Sequence, residues 1–450
     1  MIFIPKNKLP FYLIVPLTIS LFSCKKELKY VNKEKPEVII NTNDVRFSQA
    51  SINFVSDTVY VINTDLTILP DQTLKIAAGT LFKVNIGKAI TVQPGGKIDA
   101  EGNANQPIIF TVNAFQGSPG GVVPNTGGAT RTWKGLFING NYSLSNDNSN
   151  SSGILSYVRI EFAGQASNND DAVALLLKNV SKQTILNNIQ VSYSETSAIK
   201  INGGNCNASN LLSYACLKSD IILENKYQGM LQNILCFKHP YFFAGGENAG
   251  LTIFQAQTFP IISNLTIIGP DNQKGYNVGT FNPGAIAVNI SNQSKFNITN
   301  SAVLGYPSGA LKFNNAPSYD ALIAGESSLT NSLFHSNIAD SIFYLDRDIQ
   351  PPFTSNNLKT YVLKPEFKNA QVTASSEFAL NNPYDYYDTN SPDPSPKVGS
   401  VLLQGANFGA APFNNAFFKK VSYRGALGTG ADNWLQGWTN FIPLQTNYNF

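Results

Sequence analysis

Apolar and polar residues alternate in short runs along most of the chain, and the runs recur at a nearly constant spacing. Leu66-Thr67-Ile68, Leu74-Lys75-Ile76, Phe82-Lys83-Val84, Ile90-Thr91-Val92 and Lys97-Ile98-Asp99 all switch between apolar and polar at every step. A period of two predicts β-strands with one face buried and the other wet. Gly79, Gly87 and Pro94-Gly95-Gly96 fall between the runs, as corner residues should. Ile68 and Ile90 are 22 residues apart, and so are Ile76 and Ile98. The same step returns further on, in Asn188-Ile189-Gln190-Val191, Asn210-Leu211-Leu212 and Asn233-Ile234-Leu235-Cys236, whose asparagines lie 22 and 23 residues apart. Looser copies begin at Asn264, Asn300 and Asn331, with gaps of 31 to 36 residues that read as one coil plus an inserted loop. Such a step is too short for a helical hairpin repeat. It predicts an all-β solenoid, a parallel β-helix over residues 57–345 of roughly ten to twelve coils. If the asparagines are equivalent, their side chains stack and bond one another, a stabilising ladder rather than a site.

The pattern changes at both ends. Lys6 and Lys8 precede an apolar run from Phe11 to Phe22, interrupted by Pro16, too short for a bilayer span and flanked as a secretory signal is. The run closes on Leu21-Phe22-Ser23-Cys24, which resembles the lipobox of bacterial lipoproteins, where the cysteine becomes the first mature residue and is acylated. The expectation is a signal peptide over 1–23 and a membrane partner reached through lipid on Cys24, stable when more than one acyl chain is attached. Residues 24–56 begin with a dense run of Lys and Glu and no apolar period, which predicts a solvated tether. Residues 346–450, where the strand pattern fades, are expected to pack on the solenoid and cap it, with Trp133, Trp434 and Trp438 plugging or covering its ends.

Composition narrows the chemistry. Removing residues 1–23 leaves 30 basic residues against 29 acidic ones, a balance that gives no footprint for nucleic acid. Cys206, Cys216 and Cys236 are an odd set without a CxxC spacing, which argues against a disulfide framework and against a zinc site. No P-loop, G-x-G-x-x-G after a strand, G-x-S-x-G or H-E-x-x-H occurs, so the common nucleotide, serine-hydrolase and zinc-protease signatures are missing.

The final residues carry a longer likeness. Phe417-Phe418-Lys419-Lys420-Val421-Ser422-Tyr423-Arg424-Gly425-Ala426, followed by Asp432-Asn433-Trp434-Leu435-Gln436-Gly437-Trp438-Thr439-Asn440-Phe441, resembles the C-terminal signature of a Bacteroidota group of secreted or lipid-anchored β-helix proteins. Leu155 to Gly164 and Asn187 to Ser194 resemble its central motifs, and Leu74-Lys75-Ile76-Ala77-Ala78-Gly79-Thr80 its opening one. The resemblance implies a right-handed, pectin-lyase-like parallel β-helix at the outer membrane or cell surface, and no particular activity.

Parallel β-helices often act on acidic polysaccharides, a chemistry that needs carboxylates or a basic side chain in a cleft. Asp170 and Asp171 look like a carboxylate pair, but only His239 and His335 are present to accompany them. A lyase needs a Lys or Arg base with a charge-neutralising partner, and Lys200 and Arg159 sit on repeat strands where they could face outward together. Tyr384-Asp385-Tyr386-Tyr387-Asp388 is the best candidate for binding a glycan or a calcium ion. Tyr241 and Phe242 form a possible sugar-stacking loop. Asp57-Thr58 and Asp340-Ser341 resemble O-glycosylation sites of the same bacterial group, with Thr58 and Ser341 as acceptors. No resident cofactor or metal is expected, calcium apart. The expected function is non-catalytic binding or scaffolding at the outer membrane, in partnership with a glycan or a larger outer-membrane complex; the alternative is a polysaccharide lyase or glycoside hydrolase.

Overall fold

The computed structural model describes residues 35–448 except 114–131, 144–149, 168–171, 240–248, 271–284, 347–348, 350–353 and 385–391. Across them the repeating step becomes a stack of parallel strands. Ser51–Phe54 pairs with Thr73–Ile76, and that strand with Lys97–Glu101. Val59–Ile62 pairs with Leu81–Val84, and that strand with Ile108–Val112. Leu66–Ile68 pairs with Ala89–Val92, and that strand with Gly135–Asn139. Among the described residues the result is one sheet of seventeen strands facing one of ten, plus a small antiparallel pair, Leu380–Asn382 with Asp393–Pro396. The ten-stranded sheet counts the coils. At the usual spacing its first and last strands lie about 43 Å apart.

The asparagines explain how the long sheet bends. From Gly153–Glu161 to Ile261–Ile268 the two short strands of each early coil are fused into one, as in Ile185–Ser192 and Met230–Phe237. Each fused strand turns at a single left-handed residue: Tyr157, Asn188, Asn210, Asn233 and Asn264, with φ between 50° and 58°. An L-residue pays for that conformation, and Asn tolerates it best after Gly. The pairing register skips these residues, running from Asn187–Ser209 directly to Ile189–Leu211. Asn210 Nδ2 donates to Asn188 Oδ1 at 3.0 Å, and Asn233 Nδ2 to Asn210 Oδ1 at 2.9 Å, so the predicted ladder is present. A second ladder, Asn41–Asn63–Asn85–Asn113, ties the first four coils at another corner with bonds of 2.5 to 2.8 Å. Its first two steps are also 22 residues, and the third is 28.

Three expectations need correction. Strands begin at Glu37–Ile40, paired with Val59–Ile62, so the tether ends earlier than residue 56. Ile40 is fully buried while Glu37 reaches Lys83 at 3.1 Å and Val38 and Ile39 are exposed, so a single buried position gave no period to read in a charged stretch. Ile68 is paired with Val92 rather than Ile90, and Ile76 with Ala100 rather than Ile98. Ile90 follows Val84 by six residues, whereas their partners Leu66 and Ile62 are four apart, a difference of two. A two-residue slip changes the neighbour but not the face, so all four isoleucines remain buried.

The third correction concerns the tryptophans. End covering falls to the helix Ser355–Val362, which buries Leu358 and Val362, and to Ala370–Gln371, which pairs with Leu333–Ser336. Trp133 is a core residue whose indole nitrogen donates to the Glu161 carbonyl at 2.9 Å. The stretch from Ala406 to Tyr448, which holds Trp434 and Trp438, instead runs along the outer face of the long sheet.

Candidate functional site

The two sheets present different outer faces. On the long sheet, outward-pointing carboxamides hold the C-terminal stretch by its backbone. Gln190 donates to the Asn440 carbonyl and accepts from the Asn440 N–H, at 2.5 and 2.8 Å. Gln232 does the same with Lys419, both bonds 2.8 Å, and Asn300 with Asn407 at 3.1 and 2.8 Å. Asn264 donates to the carbonyls of Tyr423 and Gly425, and Thr266 accepts from the Ala426 N–H. Gly425 has φ of +80°, and a Cβ there would sit 2.6 Å from Thr266 Oγ1, so the close approach requires glycine. At the far end of the strap Tyr448 donates to the fully buried Glu161 carboxyl at 2.8 Å. Burial pushes the Glu161 pKa up, opposed by the Arg159 charge. The C-terminal signature read from the sequence is therefore a docking sequence, and the face beneath it is closed.

The ten-stranded sheet carries no such strap among the described residues. Register places Thr91, Phe137, Leu176, Lys200, Ile222 and Thr252 in one outward row, continued by Asn289, Lys312 and Tyr344. Lys200 Nζ lies 2.9 Å from Glu224 Oε1, which also accepts from Asn202 at 2.7 Å. Lys312 Nζ lies 2.8 Å from Asp346 and 5.7 Å from the Tyr344 ring centre. Near one end of the row a hollow of about 350 Å³ opens, lined by Thr91, Lys134, Phe137, Asn139, Gln165, Ser167, Ala172 and Leu176. Phe137 and Leu176 supply an apolar floor, and hydroxyls, carboxamides and one ammonium supply the rim. That combination suits a sugar, which offers C–H faces and hydroxyls together.

Catalytic geometry is harder to find. Lys200 and Arg159 were expected to face outward together, but they belong to different sheets: Arg159 lies under the strap, 3.6 Å from Glu161, with a guanidinium hydrogen bond to the Trp438 carbonyl. An ammonium held by Glu224 on the neighbouring coil is a cross-coil tie rather than a base. The described lining of the hollow contains no carboxylate, whereas glycoside hydrolysis calls for two. Asp170 and Asp171 lie outside the described residues, as do Cys24, Tyr241, Phe242, Asp385, Tyr386, Tyr387 and Asp388. Tyr384 is described and is buried in the core, which takes its ring out of reach of a ligand. No group of three or more His, Cys, Asp or Glu side chains among the described residues is placed to hold a metal.

Other titratable groups are internal. His335 accepts from the Gly305 N–H at 3.1 Å, and burial lowers the His239 pKa to about 4. Asp220 and Lys238, both fully buried, meet at 3.2 Å, with Ser213 Oγ donating to the same carboxylate oxygen at 2.5 Å. Lys238 also donates to the Cys216 and Lys218 carbonyls. Burial pushes Asp220 up to about 6 against the pull of Lys238. Cys206, Cys216 and Cys236 are free, buried thiols whose pKa values burial raises. Thr58 and Ser341 lie partly exposed in turns, Thr58 donating to Asp57 at 2.9 Å.

A family model described as a pectate-lyase-like β-helix domain matches residues 46–376, and the chain belongs to that family. No curated protein and no solved structure matches it.

Proposed function

We propose that this member of the pectate-lyase-like β-helix family is a non-catalytic binding protein, anchored at the outer membrane through lipid on Cys24, that captures an extracellular glycan on the open face of its ten-stranded sheet. The observation that carries the reading is the contrast within that face. Phe137 and Leu176 form an apolar step beside Lys134, Asn139 and Gln165; Lys134 is half-exposed and loosely paired with Asp65 at 3.8 Å, while the buried Lys200 is held by Glu224 at 2.9 Å. A floor with a cationic rim recognises an acidic sugar chain, and paired charges hold a surface together without supplying an acid or a base. The C-terminal signature and the Leu21–Cys24 likeness support the bacterial lipoprotein setting.

Affinity electrophoresis of the mature protein through gels containing polygalacturonate tests this directly. Retardation is expected for the wild type and its loss for Phe137→Ala, with no new reducing or unsaturated uronate ends formed in solution. Release of such ends would favour the lyase or hydrolase alternative, and unretarded wild-type protein would remove the acidic-glycan reading. Anchoring is checked separately: Cys24→Ala should move the protein out of the membrane fraction.

A further inference from the structure

A larger hollow lies at a different corner, where the chain leaves the ten-stranded sheet and turns back to the long one. The turns after Ile221–Glu224, Leu251–Ile253 and Ile286–Ile290 form one side of it, and the helix Ala316–Ile323 forms the other. Its volume is about 890 Å³, near the upper end for small-ligand sites. Gln228, Gln257 and Gln293 line it, with the Gln228 carboxamide donating to the Gln257 carbonyl at 3.1 Å, and the half-buried Phe259 forms part of the wall. Lys295 and Glu326 close one side with an ion pair of 2.6 Å.

The backbone at this corner is left-handed in three successive coils, at Lys226, Gln257 and Gln293, with φ of 69°, 65° and 63°. Gly or Asn would adopt that conformation at lower cost. Asn takes two of the left-handed positions here, Asn225 and Asn292, yet Gln257 and Gln293, which line the hollow, carry long polar side chains. Backbone cost borne at a cavity wall is a pointer to use of the side chain.

We infer that this corner binds a neutral oligosaccharide. Carboxamides both donate and accept, which matches vicinal hydroxyls. An aromatic wall takes the C–H face of a sugar ring. The charged lining is Lys295, already held by Glu326, together with Asp320, a net negative balance that disfavours uronates. The inference shares only its ligand class with the proposed function. The corner and the open face are lined by different residues, so each is tested by its own variants.

Isothermal titration of the mature protein with xylohexaose, mannohexaose, cellohexaose and oligogalacturonate decides it. At least one neutral hexasaccharide should bind, and Gln257→Gly and Phe259→Ala should each weaken that binding by about tenfold or more. Phe137→Ala should leave it unchanged. Gln257→Gly relieves the left-handed backbone, so its melting temperature should hold or rise while binding falls, which separates recognition from folding. Failure of all three neutral sugars to bind, binding insensitive to Gln257→Gly, or oligogalacturonate binding that these variants abolish would each overturn the inference.

Discussion

The outward rows of the two sheets are built on the same ladder geometry and end in opposite chemistry. Beneath the strap the row runs Arg159, Gln190, Leu212, Leu235 and Thr266. Its apolar members are fully buried and its carboxamide is spent on main-chain groups of the strap. On the ten-stranded sheet the corresponding row mixes Phe137, Leu176, Lys200, Ile222 and Thr252, with charge pairs spanning adjacent coils. A parallel sheet covered on both faces reads as a near-continuous apolar run, and one with a wet face alternates. The strand Met230–Phe237 is mostly buried along its length, whereas Ile221–Glu224 alternates buried with half-buried positions. The difference teaches which surface this molecule leaves open: one lateral face has been used up internally, and among the described residues the other face and the corners remain accessible.

The sharpest way to break that contrast is to put the same charge in both rows. Leu212→Asp places an unpaired carboxylate under the strap and should cost about 3–5 kcal/mol, while Ile222→Asp, at a half-exposed outward position, should cost under about 1 kcal/mol. Urea unfolding of the two variants compares them. Equal losses would mean that the strap does not cover the long sheet.

A smaller effect is expected from trimming the docking groups. Gln190→Ala or Gln232→Ala leaves one strap N–H and one carbonyl without partners in a buried setting, for about 2–3 kcal/mol. Lys312→Ala removes a partly exposed pair on the open face and should cost about 1 kcal/mol or less. Limited proteolysis adds a second measure, since cleavage between Ala406 and Tyr448 should accelerate only in the glutamine variants.

The smallest expected effect is the pH dependence of the buried corner pair. Asp220 is raised from 3.8 to about 6, so the folded state holds its proton over a range where the unfolded chain releases it. Its contribution is present at the acid end and is lost as pH rises from about 4 to about 6. His239, lowered to about 4, acts in the opposite sense, with stability lost as pH falls from 6.5 toward 4. The difference between wild-type and Asp220→Asn melting curves isolates the aspartate. A difference that stays flat across that window would show that Lys238 holds Asp220 ionised throughout.

Much of this was written locally. A period of two within strands and a step of 22 residues between them determine a parallel stack, because alternating side chains must share one core and equal coil lengths keep them in line. Asparagine at 188, 210 and 233 determines the ladder, because few residues tolerate the left-handed turn and a carboxamide can bond its own copy one coil away. Even the two-residue register error left every isoleucine on its proper face. Tertiary structure alone decided what the outward residues do. Gln190 and Gln232 look like ordinary wet-face residues in a strand, and their partners lie 250 and 187 residues away in the chain. Consecutive apolar residues in Asn210-Leu211-Leu212 and Asn233-Ile234-Leu235-Cys236 were the local sign that both faces there are dry. Gln257 and Gln293 gave no sign, because a left-handed glutamine in a turn is invisible until neighbouring coils and a helix close around it. Periodic burial is encoded by neighbours in sequence, and docking and recognition by neighbours in space.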